Sequence, residues 1–373
     1  MTYYTMTTAN SAKALLIGIN YINDPSYTLR SCVNDIFNVK NMLISSYNYN
    51  PANIVMLYDD SSNTITSDTL SINPISSLNY GLPTAEQILM RLQDIVDSSS
   101  KCSEIWIHYS GHGTQIIDIS GDESIDGKDT SVDGKDECIV PCDFKTGGII
   151  TDDIIFNIIR NIKCKAVLVF DCCHSASICD LEWSFTNDSG LITRKQINNR
   201  NIINPNIYMF SGSKDNQVSL DMYNATKREF TGILTNSMMA CLRNNNYTCS
   251  IQKLYLDICA YIKTYNQNSA QQPGFSSSYS IPSYYFIKSD APDSLLNAIR
   301  AKTKIQNIQQ IQANIRAGLS STGQSPSQSP SQSPRPSNTG VRQTSINPAL
   351  LLPKNLQLNY LKPVAKSKMM KLS

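Results

Sequence analysis

The side chains in this 373-residue sequence best suited to covalent chemistry stand at one point, where Asp171, Cys172, Cys173 and His174 follow the apolar run Ala166–Phe170. A thiolate is a strong nucleophile, and an adjacent imidazole lowers the thiol pKa or takes its proton. Only three histidines exist, His108, His112 and His174, and the first two sit in a second stretch of the same design, E-I-W-I-H-Y-S-G-H-G from Glu104 to Gly113. His108 falls inside an apolar strand pattern and reads as a core residue. His112 lies between two glycines just past the strand end, where the backbone can turn and present a side chain; it is the candidate base. Neighbouring side chains on a strand point to opposite faces, so one of Cys172 and Cys173 faces His112, and the residue pattern leaves open which.

The elements that must position these groups are strands and helices in alternation. Continuous apolar runs bounded by polar residues suit strands buried on both faces of a parallel sheet. Lys13–Tyr21, Asn53–Asp60, Glu104–Ser110, Ala166–Asp171 and Asn206–Ser213 read as such strands, with Ser283–Lys288 closing the sheet. Helical spacing marks segments from Leu29, from Pro83 to Val96 with Thr84 as cap, Thr151–Ile162, Phe230–Leu242 and Ile251–Tyr265. The pattern predicts an α/β fold, and ligands of open parallel sheets bind at the carboxyl ends of the strands. Both chemical stretches end there. Leu181–Pro205, polar and without periodicity, reads as an exposed linker carrying Arg194, Lys195 and Arg200.

H-Y-S-G-H-G followed by D-x-C-H-S resembles the paired signature of the caspase-like cysteine peptidases, and the tight S-G-H-G form is similar to a type I metacaspase. F-S-G-S-x-D-N-Q-x-S-x-D (Phe210–Asp221), F-T-G-x-L-T (Phe230–Thr235) and Q-Q-P-G-F-S-S-S (Gln271–Ser278) extend the likeness over roughly residues 12–288. The resemblance implies a caspase-like fold, a mostly parallel six-stranded sheet sandwiched by helices. It divides the chain into an N-terminal extension 1–12, a peptidase domain 13–290 (large-subunit-like 13–181, linker 182–205, small-subunit-like 206–290) and a tail 291–373. It further implies a cysteine endopeptidase with Cys173 as nucleophile and His112 as base, and an oxyanion site at the N–H groups of Gly113 and Cys173. The implied substrates are peptides cleaved after Arg or Lys, held by Asp35 and Asp171 with Ser110 as hydrogen-bonding partner. Self-processing in the linker and a monomeric state follow from the same likeness. Ala176 stands where the family usually has Gly, and the flexible extension, often N-terminal in the family, is C-terminal here.

Asp118–Asp153 holds eleven acidic residues against three lysines, and S-I-D-G-K-D-T is nearly repeated as S-V-D-G-K-D-E. Oxygen-rich clusters suit Ca²⁺. The resemblance places a calcium site at Asp136, Asp152, Asp153 and Asp180. An EF-hand reading from Asp122 lacks the closing Glu, and adjacent residues 172–174 cannot converge on one zinc.

The formal net charge of +2 conceals a division: no Asp or Glu follows Asp293, whereas eleven of the 32 Lys and Arg do. Residues 1–293 are net acidic and the remainder is basic, with S-P-S-Q-S-P-S-Q-S-P-R-P-S as an extended low-complexity linker and Ile305, Ile308, Ile311, Ile315 and Leu319 on one helical face. The tail is expected either to dock on the acidic domain or to bind an anionic surface. Eleven cysteines with no secretory leader or apolar membrane span in the sequence predict reduced thiols and a cytoplasmic location. The competing expectation is a catalytically silent caspase-like adaptor acting through its tail.

Overall fold

The computed structural model describes residues 11–59, 79–117, 135–173, 175, 177–200, 202–212, 221–224, 229–265, 272–304 and 370–371. In chain order the elements are β1 (Lys13–Gly18), α1 (Cys32–Tyr47), β2 (Ile54–Tyr58), β3 (Tyr80–Gly81), α2 (Ala85–Ser98), β4 (Glu104–Ser110), β5 (Gly113–Ile117) and β6 (Lys135–Ile139). There follow α3 (Phe144–Gly147), β7 (Ile150–Thr151), α4 (Asp152–Ile159), β8 (Lys165–Asp171), β9 (Trp183–Asp188), β10 (Leu191–Gln196) and β11 (Ile207–Ser211). The last are β12 (Asp221–Asn224), β13 (Glu229–Gly232), α5 (Ile233–Asn244), β14 (Cys249–Ser250), α6 (Ile251–Tyr265), β15 (Gly274–Ser277), β16 (Tyr285–Phe286) and β17 (Met370–Lys371).

The main sheet runs β10-β9-β15-β11-β8-β4-β1-β2-β3. Its six strands from β11 to β3 are parallel, as the buried apolar runs require. Three antiparallel strands, β15, β9 and β10, then widen it beyond the expected six. Ser283–Lys288 does not close this sheet: its β16 pairs with β14 in a separate two-stranded ladder, and β15 takes the place beside β11. The stretch expected as an exposed linker is also ordered, because Trp183–Gln196 forms the β9–β10 hairpin. Phe185 packs into the core at 3% exposure, whereas β10 is largely exposed, its Thr193–Gln196 polar and Leu191 also at the surface. A polar, charged edge strand is how a sheet avoids pairing with other chains; from sequence it is hard to tell from a loop.

Alternation along the strands sorts the core. Ala14, Leu16, Trp106, Val167, Val169, Tyr208, Phe210 and Phe275 point to one face, where Ile36, Val39 and Leu43 of α1, Leu234 and Met238 of α5 and Leu254 and Ile258 of α6 form a continuous cluster. Leu15 and Ile17 point the other way and are equally buried; α2 packs on β1 and on α4. Thr84 caps α2 by accepting from Gln87 N–H at 3.3 Å, and Thr151 caps α4 in the same way through Ile154 N–H at 3.5 Å. A second unit begins at Asp290, and its described part contains a helix over 293–304. The apolar face from Ile305 and most of the acidic repeat (118–134) lie outside the described residues.

Candidate active site

The parallel register fixes where the chemical residues meet. Ser110 at the end of β4 lies opposite Gly18 of β1 on one side and Asp171 of β8 on the other, so all three strands end at one edge. One to three residues beyond the ends of β4 and β8, His112–Gly113 and Cys172–Cys173 come together. The Cys173 carbonyl oxygen occupies the place where a side chain at 113 would begin, and Cys172 Sγ is 3.2 Å from that same point. Only glycine permits this approach. Cys172 is 1% exposed, and burial, with Cys173 alongside, pushes its thiol well up, away from thiolate. Cys173 is half-buried. His174 and Ala176 lie outside the described residues.

His112 is held by three tyrosines. Its Nε2 is 2.7 Å from the Tyr27 carbonyl oxygen. A carbonyl only accepts, so Nε2 carries the proton and Nδ1 keeps its lone pair. Tyr21 packs against the ring at a tilt of 37°, 4.6 Å between ring centroids, and its hydroxyl accepts from the His112 N–H at 2.9 Å while donating to Val140 O at 2.6 Å. The Tyr109 hydroxyl closes the circuit: it donates to His112 O at 2.7 Å and accepts from Val140 N–H at 3.2 Å. Two buried hydroxyls thereby satisfy the backbone of the glycine-flanked turn. Burial lowers the His112 pKa, and the hydrogen bond to Tyr27 acts in the opposite sense, so the ring is neutral near pH 7. Sequence reasoning missed this scaffold. Tyr109 lies inside the quoted motif and Tyr21 ends the first apolar run of the sequence, but a backbone carbonyl such as Tyr27's leaves no trace in residue type.

A few residues away are two buried carboxylates, Asp35 (0% exposed) on α1 and Asp171 (5%) at the end of β8. Ser110 Oγ donates to Asp35 Oδ2 at 2.8 Å. Gly232 N–H donates to both Asp35 oxygens at 3.0 and 3.1 Å, and Thr235 donates to Asp171 Oδ2 from its N–H at 2.8 Å and its hydroxyl at 2.7 Å. A Cβ at 232 would collide with the Asp171 carboxylate and come within 2.9 Å of Asp35 Oδ2. The two acids therefore converge on the start of α5, whose unpaired N–H groups favour negative charge. Gly232 and Thr235 stand in the quoted F-T-G-x-L-T motif, yet only the fold reveals what they hold.

The expected metal ligands lie at a different place, beside α4. Asp136, Asp152 and Asp180 are buried, and Glu137 joins them. Burial raises the Asp152 pKa strongly, with the charges of Asp180 and Glu137 adding to the effect. Among the described residues Arg200 faces this cluster, 2.8 Å from Asp180 and 3.1 Å from Asp153, with its guanidinium over the Phe156 ring. Among the described residues no three His, Cys, Asp or Glu side chains converge as a metal-holding group. The oxygen donors suit Ca²⁺, but the arrangement present fits a guanidinium. Arg194, expected in a free linker, donates to Ser280 O at 2.9 Å and lies over Trp183.

The sequence matches the family model described as "Metacaspase, peptidase C14 domain" over residues 12–182. It is 34% identical over 220 residues to Metacaspase-1 of Eremothecium gossypii, covering 58% of this chain and 41% of that one. Metacaspase-1 of Cryptococcus neoformans is 37% identical over 179 residues, covering 47% and 34%. The chain thus spans less than half the length of these relatives. Among solved structures, caspase-1 from Spodoptera frugiperda aligns with a TM-score of 0.41 and 11% identity, over 74% of this chain and 92% of that one. Among the described residues no helix is long and apolar enough to cross a membrane.

Proposed function

We propose, from the match of residues 12–182 to the metacaspase peptidase C14 family model, that the chain is a cysteine endopeptidase cleaving after Arg or Lys. The observation that carries the reading is the meeting of a half-buried Cys173 with a neutral His112 whose Nδ1 is left as the proton acceptor. His112 Nδ1 takes the Cys173 proton as sulfur attacks the scissile carbonyl, and the backbone N–H groups of Gly113 and Cys173 receive the developing oxyanion. His112 then returns the proton to the leaving amine, freeing it and leaving a thioester. Water, deprotonated by the same imidazole, hydrolyses the thioester and regenerates the thiol.

The paired carboxylates Asp35 and Asp171 support the cationic specificity. A guanidinium or ammonium entering between them gains charge-assisted hydrogen bonds in a low-dielectric site. An acidic substrate side chain would meet like charge. Calcium is proposed as the activating ion at Asp136, Asp152, Asp153 and Asp180. It would have to take the place of Arg200 and would supply there a divalent counter-charge. Arg200, Arg194 and Lys195 are proposed as self-processing positions, reached when the β9–β10 hairpin and the Arg200 ion pairs open. The basic tail is proposed to dock on an acidic or anionic surface.

The test is hydrolysis of fluorogenic peptides ending in Arg, Lys, citrulline and Asp, with millimolar Ca²⁺ or with chelator. Arg and Lys peptides should be cleaved and the citrulline and Asp peptides spared, with the rate falling in chelator. A preference for Asp, or turnover of none of the peptides, would reject the reading and favour an adaptor without catalysis.

A further inference from the structure

His108, whose sequence position suggests an ordinary core histidine, is fully buried in β4 with its Nε2 3.2 Å from Thr235 Oγ1. That hydroxyl is in turn 2.7 Å from Asp171 Oδ2. A carboxylate only accepts, so the single hydroxyl proton of Thr235 points to Asp171. The Thr235 oxygen can then only accept from His108, which requires the proton on Nε2. Burial lowers the His108 pKa to about 3, so the ring is neutral and Nδ1 is the bare nitrogen; among the described residues Nδ1 has no hydrogen-bond partner. Here the carboxylate dictates the tautomer through the threonine.

Two carboxylates as close as Asp35 and Asp171 repel, and repulsion plus burial would leave one of them protonated. Opposing this, Thr235 gives Asp171 two hydrogen bonds, one from the third residue of α5, where the helix N–H has no helical partner. We propose that His108 and Thr235 are positioning residues for substrate specificity: the chain His108 Nε2–H to Thr235 Oγ1–H to Asp171 Oδ2 holds Asp171 ionised and turned toward the cationic side chain of the substrate. The proposal rests on the Arg/Lys reading of the pocket. Neither residue touches the substrate; both act through Asp171.

Thr235→Val keeps the shape and the backbone N–H but removes the hydroxyl. The ratio of kcat/KM for an Arg peptide to that for its citrulline twin should fall by about tenfold or more, the loss of one hydrogen bond to a charge, chiefly through KM. The acid limb of Arg-peptide hydrolysis should shift to higher pH as Asp171 becomes easier to protonate. Thr235→Ser should restore the ratio to within about twofold, and titration of active sites with a covalent thiol probe should give equal stoichiometry in all variants. A wild-type-like ratio in Thr235→Val, or failure of Thr235→Ser to restore it, would overturn the proposal. Should Thr235→Val fail to fold, the wild type decides. In ¹⁵N-histidine NMR one of three imidazoles must stay neutral as the Nε2–H tautomer down to pH 5, and its signal must be the one missing from His108→Gln; an Nδ1–H tautomer there would refute the chain. No Arg preference in the wild type would reject the pocket reading itself, and this proposal with it, a result distinct from a wild type that prefers Arg and a valine variant that does so equally.

Discussion

Asp35→Asn probes the pocket with the smallest change of shape. The carboxylate accepts from Ser110 Oγ and Gly232 N–H in a site with no solvent exposure, so the substitution removes charge from a place where water cannot substitute for it. Losing one member of a buried, hydrogen-bonded charge pair costs about 2–5 kcal/mol. Asp171 remains in the same pocket, which places the loss near the lower end, about 2–3 kcal/mol or roughly 30- to 150-fold in kcat/KM for an Arg peptide. The Asn amide also sets a donor against Ser110 or Gly232, and an unsatisfied pair of that kind lowers stability by about 1–3 kcal/mol. Rates should therefore be normalised to thiol-probe titration of active sites. The assay is a double-mutant cycle with the substrate as second partner, comparing Arg and citrulline peptides on wild type and Asp35→Asn. The citrulline peptide should lose little on mutation, giving a coupling of about 1.5 kcal/mol or more. Additivity within about 0.5 kcal/mol would refute the claim that Asp35 recognises the cation.

Gly113→Ala would drive a Cβ into the Cys173 carbonyl, which is backbone and cannot swing aside; kcat should fall by about 100-fold, the usual result of moving reacting groups by an ångström. Stopped-flow hydrolysis within threefold of wild type would contradict the packing. Tyr21→Phe removes the acceptor of His112 N–H and the donor to Val140 O, so denaturant unfolding should show a loss of about 1–3 kcal/mol, with kcat reduced as the base loses its fixed position. His108 sets a pH dependence of stability. Its folded pKa of about 3 lies below the ordinary 6.5, so from pH 6.5 down toward 3 the unfolded chain takes up a proton that the folded one refuses. That contribution is intact above pH 6.5 and declines by up to about 1.4 kcal/mol per pH unit below it. Urea unfolding at pH 7 and pH 5 should therefore show a drop about 2 kcal/mol larger in wild type than in His108→Gln.

What the sequence makes legible is whatever one strand records about itself. The apolar runs of β1, β4 and β8 and their abrupt polar ends place Cys173 and His112 at a common sheet edge before any coordinates are known. The glycines flanking His112 announce the turn. What stays hidden is set by partners distant in the chain or lacking a side-chain signature. Tyr27 orients His112 through its carbonyl. Gly232 matters for the side chain it lacks, 197 residues from the Asp35 carboxylate it caps. Thr235 and His108 look ordinary until β4, β8 and α5 are brought together. The β9–β10 hairpin is hard to read because, of its side chains, Phe185 is buried in the core and Trp183 and Ile192 only partly so, and a protective edge strand is polar for the same reason a linker is. In the acidic cluster the charges are visible in sequence, but the guanidinium facing them belongs to Arg200, well downstream of every acid it meets.

The most direct test of the central claim is active-site labelling with an electrophilic peptide ending in Arg, read by mass spectrometry on wild type, Cys172→Ala and Cys173→Ala. The geometry predicts one adduct per chain on Cys173 in wild type and in Cys172→Ala. In Cys173→Ala both labelling and hydrolysis should vanish. Label on Cys172, or turnover surviving in Cys173→Ala, would contradict the account.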